Sequence, residues 1–315
     1  MIREIDVREV QTAVQAAITQ SAYQLPDDYL QAMAAAQQRE QSPLGQSIIL
    51  MLRDNAAYAQ SEQIPTCQDT GMAILLLEIG QDVHFVGGLL HEALATAVRT
   101  AYQPLCKSVV SDPLQRANTG DNTPPIVHTH IIPGDQVHII VMMKGFGAEL
   151  MSRLQMFPPS IGVAGVKRFV LETVEKAGPN ACPPIIVGVG LGSSFDGVGL
   201  LAKKALMRPL NQLNPQPHLA QLEQEWRQAI NDLGIGPHAY CRPARCCQFE
   251  LFRAAPGCDH IMNKRVTLPL DEETAVSLQA GDLLQLNGSL YTARDAAHKR
   301  LIAALESGES PPYRL

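Results

Sequence analysis

The sequence has 315 residues, of which 46% are hydrophobic and 18% are charged, and its formal net charge is −6. This length suits one large domain or two modest ones, and the apolar fraction excludes global disorder. The acidic balance argues against a nucleic-acid partner, because phosphate binding needs a basic surface.

The amino terminus is charged and has no apolar stretch of signal-peptide length. The longest apolar runs, such as 73–77 and 183–191, are too short to span a bilayer. The cysteines number seven, and an odd number at wide spacing argues against a disulfide framework. We therefore expect a soluble, cytoplasmic protein without a membrane partner, whose thiols are either buried or bound to metal.

Apolar residues at helical spacing predict helices over residues 7–60. Pro26-Asp27 separates the first helix from the second, and Ser42-Pro43 suits the start of a third. The apolar run 72–79 then predicts a buried strand, and 92–102 predicts a further helix.

Further along the chain, two strands at 126–132 and 136–143 are predicted to pair across the turn Pro133-Gly134-Asp135. Four more elements follow from the pattern: helices at 163–176, 197–207 and 219–233, the last capped by Gly234, and a short buried strand at 185–189.

The pattern loses its periodicity after Pro237, and a strand-and-turn pattern returns at 265–270 and 280–288, followed by a predicted helix at 292–305. The fold class that this order indicates is α/β (α+β mixed), with a helical amino-terminal part packed on a mixed sheet.

Three polar loops carry the candidate chemistry. The first, 67–71 (Cys-Gln-Asp-Thr-Gly), lies between a helix and a buried strand, where side chains point into a site or satisfy a local turn. The second, 118–125, has donors that suit a carboxylate or phosphate, although surface turns use the same residues. The third, 180–184, fixes a thiol before two prolines, as either a rigid ligand mount or a plain connection.

Two other features of the sequence are candidates for chemistry. His128 and His130 point to the same face of a predicted strand, which fits a metal pair or an ordinary half-buried strand. Lys144 precedes Gly145-Phe146-Gly147, which places a cation on a backbone that allows close approach.

The loops 67–71, 118–124 and 180–184, with Leu233-Gly234-Ile235-Gly236-Pro237, occur in an order that resembles the class I fumarase and L(+)-tartrate dehydratase family of iron–sulfur hydro-lyases. Residues 1–237 resemble the catalytic α domain. Residues 265–315 resemble the opening of the family's β region, of which only a fragment is present, and 238–264 is a divergent junction.

The resemblance implies a [4Fe–4S] cluster that acts as a Lewis acid in the reversible dehydration of a 2-hydroxy dicarboxylate, malate to fumarate or tartrate to oxaloacetate. It assigns roles by position. The cluster ligands would be Cys67, Cys182 and Cys258, with Cys246 and Cys247 as alternatives to Cys258. The catalytic residues would be Gln68 and Asp69. The residues that bind the substrate would be Asn118, Thr119, Gly120, Asp121, Lys144 and Arg294.

The chain also departs from the family pattern. Cys106 stands where the family usually has a substrate-binding arginine, and the segment after Pro237 is unlike the family's histidine-bearing segment. We expect a dicarboxylate substrate, a homo-oligomer and a separate β subunit. The alternative is an impaired or inactive paralogue that serves as a binding or assembly subunit.

Overall fold

The computed structural model describes residues 2–182 and 184–235, together with strands at 264–267 and 284–287. The chain divides into two compact units, Met1–Gly257 and Cys258–Leu315. Most of the predicted junction 238–264 and the whole predicted helix 292–305 lie outside the described residues.

The first unit contains both helices and strands. Its described helices are α1 (Val7–Tyr23), α2 (Asp27–Arg39), α3 (Pro43–Glu62), α4 (Leu90–Ala101), α5 (Phe146–Glu149), α6 (Gly162–Ala177), α7 (Gly197–Met207) and α8 (Pro217–Asn231). Its described strands are β1 (Arg3–Asp6), β2 (Met72–Gly80), β3 (Val83–Val86), β4 (Val110–Asp112), β5 (Ala117–Asn118), β6 (Ile126–Ile132) and β7 (Val137–Lys144). In the second unit β8 (Lys264–Thr267) and β9 (Leu284–Asn287) pair in parallel. These elements confirm the predicted mixture of helices and sheet.

The helical start of the chain forms where the sequence predicts it. Asp6 caps α1 by accepting a hydrogen bond from the Arg8 N–H at 2.9 Å, and Ser42 caps α3 by accepting from the Gly45 N–H at 3.3 Å. Pro43 occupies the first turn of α3, where no backbone donor is needed. In the described residues, no helix is both long and apolar enough to cross a membrane.

The core lies between the central sheet and two helices. Alternate residues of β2 point to one face, and those at 73, 75, 77 and 79 pack with the apolar faces of α1 and α4. Leu75 and Ile18 are fully buried at this contact. Strand β2 is therefore the strand on which the amino-terminal helices pack, as the apolar run predicts.

The predicted hairpin between β6 and β7 is wrong. The two strands form, but β2 lies between them in the order β6-β2-β7, parallel to β6 and antiparallel to β7. β2 is apolar on both faces and takes the central place, whereas β6 carries His128 and His130 and β7 carries His138, polar residues that suit a sheet edge. The turn at 133–135 therefore crosses the end of β2 instead of joining neighbouring strands.

The predicted buried strand at 185–189 is also wrong. Only Ile185 forms an isolated bridge, and Ile186 and Val187 are exposed. The two glycines that follow press the backbone against α7: a Cβ at Gly188 would lie 2.4 Å from the Ala202 carbonyl oxygen, and one at Gly190 would lie 2.3 Å from that of Val198. Packing on a helix thus replaces pairing with a strand. The short strands β1 and β3, which pair in parallel, were not predicted.

Strand directions bring three loops to one end of the sheet. The loop 67–71 precedes β2, and the loop 118–125 precedes the parallel strand β6. The segment 145–149 follows the antiparallel strand β7, whose last residue Lys144 pairs with Met72 at the start of β2. All three therefore meet at the amino-terminal end of β2.

Asn122 ties these loops together and is fully buried. Its side-chain Nδ2 donates to the Gly71 carbonyl at 2.9 Å. Its Oδ1 accepts from the backbone N–H groups of Ser108 at 2.8 Å and Val109 at 3.0 Å. Asn122 itself has a left-handed backbone with φ of +63°, a conformation that asparagine adopts more readily than most residues.

We predict that Asn122→Ala lowers the free energy of unfolding by about 3 kcal/mol, because one buried and two part-buried backbone groups lose their partner. Chemical denaturation measures this loss. The matched control is Asn118→Ala, which removes exposed hydrogen bonds in the same loop and should cost less than about 1 kcal/mol. Equal midpoints for wild type and Asn122→Ala would contradict the role given to Asn122.

Candidate active site

The loop that carries Cys67 is anchored at both ends. Thr66 donates its N–H to the Ala22 carbonyl at 3.0 Å, and the side chain of Asn55 donates to the Thr66 carbonyl at 3.1 Å. At the far end, the Tyr102 hydroxyl donates to the Thr70 carbonyl at 2.9 Å. Cys67 and Asp69, both half-buried, line a cavity of about 240 Å³. The thiol therefore lies on a loop fixed by the core rather than on a mobile connection.

Asp69 joins this loop to the segment after β7. Its Oδ1 accepts from the Gly71 N–H at 3.2 Å, and its Oδ2 accepts from the Gly147 N–H at 3.1 Å. Gly71 lies directly on the neighbouring strand end, because a Cβ there would be 2.1 Å from the Lys144 carbonyl oxygen. Its φ of +63° likewise favours glycine. The Cys67 loop and α5 are thus one connected structure.

The side-chain amide of Gln68 is exposed. It makes no side-chain hydrogen bond within the described part of the chain. Its amide group is therefore available to solvent or to a bound molecule beside Asp69.

The loop 118–121 is held by its own polar groups. Asn118 donates to the Lys107 carbonyl at 2.9 Å and accepts from the Gly120 N–H at 2.7 Å. Thr119 donates its hydroxyl to the Val109 carbonyl at 3.3 Å. These bonds account for most of the loop's polar groups, as a surface turn would require. Gly120 remains open, with no atom within 4 Å of a Cβ position.

Asp121 is a charged carboxylate in this loop. Hydrogen bonds from the hydroxyl and N–H of Thr123, and then the ion pair with Arg99 at 2.9 Å, lower the pKa of Asp121 to about 2. The carboxylate is therefore ionised at neutral pH and locks the loop to the end of α4.

Lys144 is buried, with 8% of its surface exposed. Its Nζ lies 3.2 Å from the Oε2 of Glu149. Glu149 also forms an ion pair with Lys203 of α7. Burial alone would raise the pKa of Glu149, but the hydrogen bond and charge of Lys203, with the charge of Lys144, outweigh it and lower the pKa. Lys144 thus has an anionic partner in the protein, and its contact with substrate stays a prediction.

Cys182 ends a 3₁₀ helix, Gly178–Ala181, that packs against α5. Its N–H donates to the Pro179 carbonyl at 3.0 Å, and its left-handed backbone has φ of +58°. The thiol is half-buried. Because α5 is bonded to Asp69 on one side and packs on this 3₁₀ helix on the other, it connects the segments that carry Cys67 and Cys182.

The described residues supply two of the three predicted cluster ligands. Among residues 2–182 and 184–235, no trio of His, Cys, Asp or Glu side chains has the arrangement of a metal site. Cys258 lies outside the described residues, as do its alternatives Cys246 and Cys247, and so does Arg294. The two described thiols fit a cluster in donor chemistry, in burial and in their common attachment to α5. Cys106 is exposed.

His128 and His130 lie on the sheet face away from the α1 and α4 core. They line a second cavity of about 320 Å³ together with Glu78 and Lys204. The half-buried His128 and exposed His130 match an ordinary strand with one open face. Within the described part of the chain, neither histidine belongs to a group of three metal-ligating side chains.

Sequence analysis missed several residues that hold the site. Asn122, Tyr102 and Arg99 bond to the predicted loops. Glu149 pairs with the predicted Lys144, and Lys203 pairs with Glu149. Asn122 belongs to the quoted loop motif, and its position in that motif was the one available signal. The other four lie on helices or, for Tyr102, directly after one, and their partners follow only from the tertiary fold.

Comparisons with known proteins identify the family of the chain. The family model described as fumarate hydratase (Fumerase) matches residues 11–250, and the model described as fumarase C-terminus matches residues 250–315. The putative L(+)-tartrate dehydratase subunit alpha of Methanocaldococcus jannaschii is 37% identical over 225 residues, which are 69% of this chain and 79% of that protein.

A second relative has a similar name. The L(+)-tartrate dehydratase subunit alpha of Escherichia coli is 36% identical over 220 residues, which cover 68% of this chain and 72% of that protein. The resemblance predicted from the four motifs is confirmed by the match over most of the chain. The chain therefore belongs to the fumarate hydratase family of hydro-lyases.

Proposed function

We propose that the chain binds a [4Fe–4S] cluster through Cys67, Cys182 and Cys258 and catalyses the reversible dehydration of malate, tartrate or a similar 2-hydroxy dicarboxylate. The observation that carries this proposal is the convergence of the loops 67–71 and 118–125, with Lys144, at the amino-terminal end of β2. Family membership supports the reaction class. When bound, the cluster would supply a Lewis-acidic iron for the substrate hydroxyl.

The protein's own residues would orient the substrate and move its proton. Asp69 is held by two backbone donors, so its carboxylate has a fixed direction and keeps further lone pairs. It would exchange a proton with the substrate at one of these oxygens. The exposed amide of Gln68 would donate to a substrate carboxylate beside it.

Charge and close approach would bind the rest of the substrate. Lys144 places a buried ammonium at the same end of the sheet, where positive charge favours a dicarboxylate. The open backbone at Gly120 lets a ligand approach the loop of Asn118, Thr119 and Asp121 closely. Arg294, outside the described residues, would clamp the second carboxylate.

We also propose a separate β subunit as the partner of this chain. The relatives that support this are named as alpha subunits. The alternative, a paralogue without activity, predicts a stable protein that neither assembles a cluster nor turns over a dicarboxylate.

The function is tested by anaerobic assay of the protein reconstituted with iron and sulfide, alone and with a family β subunit. We expect hydration of fumarate or dehydration of L(+)-tartrate, measured by fumarate absorbance and by coupled detection of oxaloacetate. A fully reconstituted complex that acts on neither substrate would contradict the proposed reaction.

The cluster ligands are tested separately by iron content and visible absorption. Cys67→Ser and Cys182→Ser should each lose most of the bound iron, because an intact cubane needs every protein thiolate. Cys106→Ser, which changes an exposed cysteine near the same loops, is the matched control and should keep it. Normal iron content in Cys67→Ser would exclude that ligand.

Asp69→Asn should lower kcat by about 100-fold or more with a smaller change in KM, because a positioned proton-transfer group is lost. Asp112→Asn is the matched control, since Asp112 also accepts two backbone N–H groups, from Leu114 at 2.8 Å and Gln115 at 2.7 Å. Similar kcat values for the two variants would contradict a role of Asp69 in proton transfer and would leave it only a structural role in its loop.

A further inference from the structure

Glu149 is the meeting point of three segments. It ends α5 and pairs with Lys144 at the end of β7, 3.2 Å away, and with Lys203 on α7. The three side chains are sheltered from solvent: the exposed fraction of the side chain is 9% for Lys144, 18% for Lys203 and 29% for Glu149. Ion pairs with this degree of shelter are screened less by salt than exposed pairs.

The pairs clamp a helix too short to be stable alone. α5 has four residues, and a single turn does not persist without tertiary contacts. Its first turn is held by Asp69, which accepts from the Gly147 N–H at 3.1 Å. Its last residue is held by the two lysines. Asp69 and Glu149 therefore fix α5 at opposite ends.

The position of α5 matters because both described cysteine segments depend on it. Cys67 lies two residues before Asp69, and the 3₁₀ helix that ends at Cys182 packs on α5. If α5 shifts, the direct link between these segments is lost.

We infer that Glu149 and Lys203 form an ionic latch that positions α5, and through it the Cys182 thiol, for the site at the end of β2. Glu149 is a positioning residue in this role, since it acts through α5. The inference rests on the proposed function for its purpose, but the latch itself is a property of the protein without its cluster.

The latch is tested on the cluster-free, reduced full chain by the rate of thiol alkylation at each cysteine, read by peptide mass spectrometry. Glu149→Gln and Lys203→Met should each raise the alkylation rate of Cys182 by about fivefold, because local opening becomes more frequent. Lys203→Arg should restore the wild-type rate, since it keeps a cation on α7.

Two controls separate the latch from general destabilisation. Glu172→Gln removes an exposed ion pair with Arg168, 3.9 Å long, on α6, and should leave the Cys182 rate unchanged. Cys106 is the internal reference, and its rate should be the same in all variants. In addition, the double variant Glu149→Gln/Lys203→Met should be no faster than Glu149→Gln alone, because Glu149→Gln already removes the ion pair with Lys203.

An unchanged Cys182 rate in Glu149→Gln, or a parallel increase at Cys106, would overturn the latch. Failure of the proposed function would look different. The wild-type protein would then take up no cluster in reconstitution, while the alkylation pattern of the variants would still report on the latch.

Discussion

The central constraint of this structure is the burial of β2 on both faces. A strand that is apolar on both faces must lie in the middle of a sheet, and β2 is paired on each side, with β6 parallel and β7 antiparallel. Those directions decide which loops become neighbours. The segments before β2, before β6 and after β7 meet at the same end, and the first two of them carry family motifs.

Polar contacts then convert this proximity into a rigid arrangement. Asn122 joins the loop before β6 to Gly71, and Asp69 joins the loop before β2 to α5. Glu149 carries the connection on to α7 through Lys203. Because buried polar groups need partners, each contact is costly to break and holds its loop in place. The candidate site is therefore built from backbone segments that hold one another.

The sequence predicted the helices well, because caps and breaks are local signals. Pro26, Ser42 and Gly234 mark helix ends that the structure confirms within a few residues. Strand order was not predictable in the same way: the turn at 133–135 looks like a hairpin, and only the demand of β2 for two partners separates β6 from β7. The prediction of a strand at 185–189 was wrong for a related reason, because the packing of Gly188 and Gly190 on α7 is a tertiary contact.

The sequence predicted the loops of the candidate site but not the residues that hold those loops in place. Motif order located the segments of Cys67, Asn118 and Cys182, whereas the ion pairs of Glu149 depend on helices far apart in sequence.

The central claim is that the loops of Cys67 and Cys182 face one metal centre. The most direct measurement is an anaerobic crystal structure of the reconstituted protein, with iron located by its anomalous scattering. The account predicts iron bonded to the sulfur atoms of both Cys67 and Cys182; iron bonded to neither, with the two thiols on opposite sides of the sheet, would contradict it.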